Sequence, residues 1–231
     1  MITVNCLRRG KYVKRHLESA LVAAAATVLL AGCGGSGESG RPSMSGPRQK
    51  DVPSGPYQLK MPKSVEKGTF TESDHSEPDQ NIASMLSGQI EHGVSAFAAY
   101  QPADRKSETS GPVVSVTGVY GTVLSPVTAR DEFLKILDSR TIDTDVRSTV
   151  IVGPRTITPQ GSSEPVSCRI VRRADEFGTT WKPDCSWADG SAVVDVSQTV
   201  DPDQPPAAFD LEAFAARTAT IRDEVRAPQA S

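Results

Sequence analysis

The 231-residue chain carries few side chains suited to chemistry: four cysteines and three histidines. A serine–histidine–acid hydrolase needs an imidazole within hydrogen-bond reach of its nucleophile, and only His75 and His92 lie outside the N-terminal stretch. The chain contains no GxSxG elbow, HExxH pair, Walker loop or GxGxxG turn. His75 stands among Glu72, Asp74, Glu77 and Asp79, a set of oxygen and imidazole donors that a weakly held cation could use. The same residues make an ordinary solvated acidic loop, which is the preferred reading. Asp201-Pro202-Asp203-Gln204-Pro205-Pro206 also reads as a loop, because its carboxylates lack the spacing that specifies calcium. Arg169, Arg172 and Arg173 form the compact basic cluster of the folded part; beside Asp175 and Glu176 they read as exposed arginines serving solubility and surface pairing. The expectation is a non-catalytic protein with no metal and no cofactor. An envelope hydrolase with a motif-free site is the alternative, since convergent triads need no sequence motif.

Composition narrows the classes further. Lysine and arginine number 25 against 28 aspartates and glutamates, for a net charge of −3. That balance offers no global field for a phosphate backbone, so no nucleic-acid partner is expected. Hydrophobic residues at 37% and charged residues at 23% suit one soluble domain with polar extensions, and exclude both a multispanning membrane protein and a wholly disordered chain. The length accommodates one domain of ordinary size.

Arg8, Arg9, Lys11, Lys14 and Arg15 precede an apolar run from Ala20 to Gly32, with Glu18 the single acid among the first 32 residues. Basic, then apolar, is the pattern of a secretory leader. As a helix the run rises only about 20 Å, short of the ~30 Å hydrocarbon layer that a permanent span must cross. The run closes on Leu30-Ala31-Gly32-Cys33, which resembles the bacterial lipobox residue for residue. That resemblance implies a diacylglycerol on the Cys33 sulfur, cleavage before Cys33, and further acylation of the new N-terminus. Several acyl chains, at about 0.8 kcal/mol per buried CH₂, hold a protein durably on a membrane where one chain is marginal. The expected address is extracytoplasmic, on the outer face of the cell membrane. Arg8-Arg9 suggests twin-arginine export, but Gly10-Lys11-Tyr12 matches that signal poorly and the general secretory route is favoured. Loss of residues 1–32 leaves 20 basic and 27 acidic side chains, about −7 for the mature chain.

From Gly34 to Pro56, 15 of 23 residues are Gly, Ser or Pro, a spacer with no hydrophobic period. As a flexible coil its reach is roughly 25–30 Å. The organisation is therefore a signal peptide (1–32), acylated Cys33 with a linker (33–56), one domain (57–227) and a short tail (228–231). Within the domain, Tyr57-Gln58-Leu59-Lys60-Met61 alternates as a strand, followed by an extended piece at 68–71. Ile82, Met85, Leu86, Ile90 and Val94 recur at helical spacing, which predicts a helix ending at Gly93 and a strand from Val94 to Tyr100. Val113 to Tyr120 is apolar on both faces and reads as a strand covered on each side. A turn at 121–125 precedes a helix capped by Thr128 with Asp131, started by Pro126 and buried along Phe133, Leu134 and Leu137. Strands follow at 150–158 and 166–171. The last helix is capped by Asp210 and buries Leu211, Phe214, Thr218, Ile221 and Val225.

With Cys6 removed and Cys33 acylated, Cys168 and Cys185 are the cysteines left to an exported chain, and they are expected to pair. Reactive or metal-binding thiols are the alternative, without a CxxC spacing or a nearby histidine in support. Asp189-Gly190 between Ala188 and Ser191 signals a two-residue hairpin turn, which sets Trp187 opposite Ala192 and Cys185 opposite Val194. Trp187 and Cys185 then share a face, expected to be core.

Cys168, then Asp184-Cys185-Ser186-Trp187-Ala188-Asp189-Gly190 and the strand Ala192-Val193-Val194, resemble a group of uncharacterised actinobacterial surface lipoproteins with a Cys-x-Trp-Ala-Asp hairpin and a C-terminal amphipathic helix. The likeness runs loosely from Tyr57 to Val225, through Gly93-Val94-Ser95-Ala96 and Gly118-Val119-Tyr120-Gly121. It implies location and architecture, and no reaction. The order of strands with a closing helix also resembles the PsbP-like proteins, a likeness of fold that carries no function. The expected fold is α+β, a mostly antiparallel sheet with two or three packed helices. The expected function is a membrane-tethered binding or interaction module whose partner is an envelope protein, a wall component or a small ligand. A structural or sensory module of envelope assembly is a further alternative.

Overall fold

Strand alternation sorts the apolar side chains onto two faces of one sheet, and the helices follow from what each face must cover. The computed structural model describes residues 56–228 apart from 75, 105–110, 140–146, 176–177 and 202. All of them lie in one compact unit, Pro47–Ser231. The fold is α+β. The strands are β1 (Tyr57–Leu59), β2 (Ser64–Val65), β3 (Phe70–Asp74), β4 (Ile90–Pro102), β5 (Val114–Val123), β6 (Arg147–Ile157), β7 (Val166–Asp175), β8 (Gly178–Ala188), β9 (Ala192–Gln198) and β10 (Arg226–Pro228). The helices are α1 (Gln80–Met85), α2 (Pro126–Ser139) and α3 (Leu211–Val225).

Eight strands form one antiparallel sheet in the order β2-β3-β4-β5-β9-β8-β7-β6. After β5 the chain leaves through α2 to the far edge, then returns by hairpins until β9 closes against β5. Short β1 and β10 pair separately, bringing the two ends of the domain together.

On one face Tyr100, Val114, Val116, Ile170, Val194 and Val196 pack under Leu211, Phe214, Ile221 and Val225 of α3 and under Tyr57 and Leu59 of β1. Asp210 caps α3 as expected, its carboxylate accepting from Ala213 N at 2.9 Å. Leu59 crosses β5 so closely that a Cβ on Gly118 would lie 2.7 Å from its methyl, which is why only glycine fits there. On the other face Ile82 and Ala83 of α1, Leu86 just beyond it, and Ala129, Phe133 and Ile136 of α2 cover Val119, Val123 and Val193. Phe133 is wholly buried, worth about 1.5–3 kcal/mol of transfer free energy.

The cysteines occupy directly opposed positions on β7 and β8 and form the disulfide Cys168–Cys185. Both are buried with Trp187 in the α3-side core. The hairpin beyond them differs from the expected register. Its last pair is Ala188↔Val193, with Trp187 opposite Val194 and Cys185 opposite Val196. Asp189 N donates to the Ala192 carbonyl at 3.0 Å and its Oδ1 accepts from Ser191 N at 2.8 Å and Ala192 N at 3.2 Å, which moves the turn one residue on, to Gly190-Ser191. The slip is two residues, so Trp187 and Cys185 keep their shared face.

Asp189 also clasps the chain ends. Its Oδ2 accepts from the Tyr57 hydroxyl and, at 2.7 Å, from Arg226 Nη2. The Arg226 guanidinium lies 4.8 Å from the Tyr57 ring centroid and forks onto Glu164 at 2.8 and 3.1 Å. Burial is the main cause holding the Tyr57 phenol above its ordinary pKa, with Asp189 adding to it.

Several local expectations give way. α1 stops at Met85, which is 57% exposed, and Ile90 begins a strand paired with Val123. Gly88 weakens a helix by about 1 kcal/mol relative to alanine, while Ile90 reaches the same core from the sheet. Gly93 therefore ends no helix; it lies in a bulge between Glu91 and Val94. The strand β3 extends into the expected acidic loop as far as Asp74. β5 continues through Gly121 to Val123, and Ser125 rather than Thr128 opens α2, its carbonyl accepting from Ala129 N and its hydroxyl bonding Thr128. The first half of β8, β2 and β10 were not anticipated from sequence.

Loss of the disulfide in Cys168→Ala/Cys185→Ala is expected to cost about 3 kcal/mol for a loop of this size, read as a lower urea midpoint; equal midpoints for variant and parent would contradict it. Asp189→Ala leaves two turn amides, a buried phenol and a guanidinium short of an acceptor, and is expected to cost about 2–3 kcal/mol. Asp189→Asn is expected to recover part of that loss in the same denaturation series.

Candidate ligand cleft

The face carrying α1 and α2 is not apolar throughout. Alternation sends Cys185 and Trp187 toward α3, so Lys182, Asp184 and Ser186 of β8 must point the other way. On β9, Val194 and Val196 face α3, which leaves Asp195 and Ser197 beside them on the polar side. Thr117 of β5 lies directly opposite Asp195, and Phe97 of β4 opposite Thr117. α1 and α2 close over Val119 and Val193, leaving a cleft of about 550 Å³ above the polar row. Asp195, Thr117 and Ser197 line its floor, Ile82, Phe97 and Leu137 its apolar walls, and Glu77, Asp79, Lys182 and Arg173 its charged sides.

Behind the floor stands a buried ionic brace. Arg169 donates from Nε to Asp184 Oδ1 at 2.8 Å and forks onto Asp138 of α2 at 2.8 and 2.9 Å. Burial disfavours the guanidinium charge, but Asp184 and Asp138 overcome it and hold the pKa of Arg169 above its ordinary value. Asp184 is 1% exposed; burial raises its carboxyl pKa against the pull of Arg169. Asp195 is 2% exposed, and its carboxyl is pushed up to about 7, first by burial and then by the charge of Asp184, with Lys182 and Arg169 offsetting part of the rise. Asp195 Oδ1, Asp184 Oδ2 and Arg173 Nε are buried atoms that make no hydrogen bond among the described residues.

The arginine cluster needs correction. Arg169 is not a surface cation; it is buried and paired across the hairpin. Arg172 is exposed, while Arg173 lines the cleft and donates to the Leu137 carbonyl at 3.1 Å. Glu176 lies outside the described residues, as do His75 and the whole of Leu30-Ala31-Gly32-Cys33. His92 is exposed on the β4 bulge with φ 55° and does not line the cleft. Trp187 lies in the α3-side core, Ala188 packs against the α1–α2 core, Asp189 makes the clasp and Gly190 is exposed at the turn; neither cysteine of the disulfide lines the cleft. Among the described residues no group of three His, Cys, Asp or Glu side chains is placed to hold a metal ion, and no helix is long and apolar enough to cross a membrane.

Sequence reasoning missed Asp184 and Asp195. The signal was present: Asp195 is the one charged residue within Ala192-Val193-Val194-Asp195-Val196, a run whose other members are all apolar. A charge within a run buried on both faces requires a special environment.

No protein-family model, curated protein or solved structure matches this chain.

Asp195 binds its proton more tightly in the folded chain than in the unfolded one. Between about pH 4 and pH 7 the native state therefore holds the extra proton, and this residue's contribution makes stability fall as pH rises through that window, then level off above it. The loss is on the order of 4 kcal/mol, at about 1.4 kcal/mol per pH unit. Asp195→Asn is expected to abolish that contribution, so its stability relative to the parent should climb from pH 4 to pH 7. Urea denaturation across this range checks it; parallel profiles for the two proteins would count against the buried, proton-holding carboxyl.

Proposed function

We propose that the protein is a non-catalytic extracytoplasmic lipoprotein: a small-ligand-binding domain tethered to the outer face of the cell membrane through Cys33. The observation that carries the binding reading is the cleft on the α1–α2 face, where a buried Asp195 carboxyl lies on the floor between apolar walls. A space of about 550 Å³ lies within the ~300–1,000 Å³ of small-molecule sites, and its lining sets apolar Ile82, Phe97 and Leu137 among polar and charged side chains. The tethering rests on the basic and apolar leader, the lipobox residues Leu30, Ala31, Gly32 and Cys33, and the Gly/Ser/Pro-rich spacer that follows. A disulfide in the core agrees with export to an oxidising compartment. A small ligand is favoured over a wall polymer or protein partner because a buried carboxyl oxygen without a hydrogen bond among the described residues lies beneath the cleft.

In the native host, Cys33→Ala is expected to abolish labelling by palmitate and move the protein out of the membrane fraction. Unchanged labelling and fractionation of that variant would refute the anchor.

A further inference from the structure

We propose that the cleft binds a small organic cation, a protonated amine on an apolar body, with the ammonium group held by the Asp195 carboxylate. This rests on the reading of the cleft as a ligand site and adds the chemical class of the ligand. Asp195 lines the floor at 2% exposure with Oδ1 unbonded, and Asp184 Oδ2 on the adjacent strand is likewise unbonded. Neither oxygen receives a proton donor from the other, so the two carboxyl groups do not satisfy each other. An ammonium group supplies N–H donors to an acceptor and neutralises its charge together, which a neutral hydroxyl does not.

The charges surrounding Asp195 favour the same class. Facing or backing it are Asp184 and Lys182 from β8, Arg169 and Arg173 from β7, Asp138 from α2, and Glu77 and Asp79 from the segment before α1. Leaving out Asp79, which has a partner of its own, and with Asp195 ionised, the described residues set four acids against three bases. Arg169 is engaged through all three of its nitrogens by Asp184 and Asp138, and Lys182, whose charge offsets part of the Asp195 shift, leaves Asp195 Oδ1 without a hydrogen bond. One added positive charge moves the site toward neutrality; an added anion moves it away. Ile82, Phe97 and Leu137 offer apolar contact that a bare ion cannot use.

The test uses a matched pair of probes, cyclohexylmethylamine and cyclohexylmethanol, on the folded protein with its disulfide intact. Binding is followed by amide shifts of Phe97, Thr117 and Ser197 and by calorimetry in buffers of different ionisation enthalpy. The expected result at pH 8 is at least tenfold tighter binding of the amine. Because Asp195 must release its proton to receive the cation, amine affinity should fall about tenfold from pH 8 to pH 6, with nearly one proton released per amine bound at pH 6. The alcohol should show neither effect. Asp195→Asn should bind both probes equally. Equal binding of amine and alcohol by the parent protein at the cleft amides would overturn the cation assignment while leaving a ligand cleft. Absence of shifts there with either probe at millimolar concentration would overturn both.

Discussion

β9 is buried on both sides, and this constraint organises the rest of the molecule. Each residue from Ala192 to Val196 is sealed from solvent, so the pleat alone decides what each side chain meets. Val194 and Val196 join the core beneath α3, Val193 joins the core beneath α1 and α2, and Asp195 is carried to the floor of the cleft. A carboxyl group in that position owes its burial to the valines on either side, which cannot leave their cores without opening the sheet. The site is built by the same alternation that builds the fold.

The polar part of that face needs a different kind of cohesion from the apolar part. Where Phe133 and Ile136 seat α2 on Val193, hydrophobic burial is sufficient. One turn later α2 reaches the charged row, and there Asp138 is tied to the sheet by the Arg169 fork, with Asp184 completing the guanidinium's contacts. The planar fork presents several donors in fixed directions, which lysine does not reproduce. The brace fixes the end of α2 beside the cleft, so the wall contributed by Leu137 has a defined place.

Much of the architecture was legible because the relevant signals were local. The apolar face of α3 and its Asp210 cap, the doubly covered β5 and the disulfide all follow from residue type and period. The α1 expectation failed because Ile90 satisfies a helical spacing and a strand start equally well, and pairing with Val123 decides between them. The hairpin register failed because Asp189 used its side chain to shape the turn. The cleft was illegible for a stronger reason: Asp195, Asp184, Arg169 and Asp138 come from three strands and a helix, brought together by the registers of the β7–β8 and β8–β9 hairpins and by α2 packing over them. Within the chain they are scattered acids and one arginine of an apparent surface cluster.

The pairing of β1 with β10 also settles how the domain bears mechanical load. A pull arriving along the chain from residue 56 meets Tyr57 first, at the pair Tyr57↔Pro228. Antiparallel strands loaded from that end peel one rung at a time, and three rungs alone offer little resistance. The Tyr57 hydroxyl is fastened to Asp189 and its ring lies against Arg226, so the strongest side-chain attachment sits at the rung where peeling starts. Strain arriving at Tyr57 is thereby shared with the turn between β8 and β9, in the interior of the eight-stranded sheet, before the three rungs of β1 and β10 part.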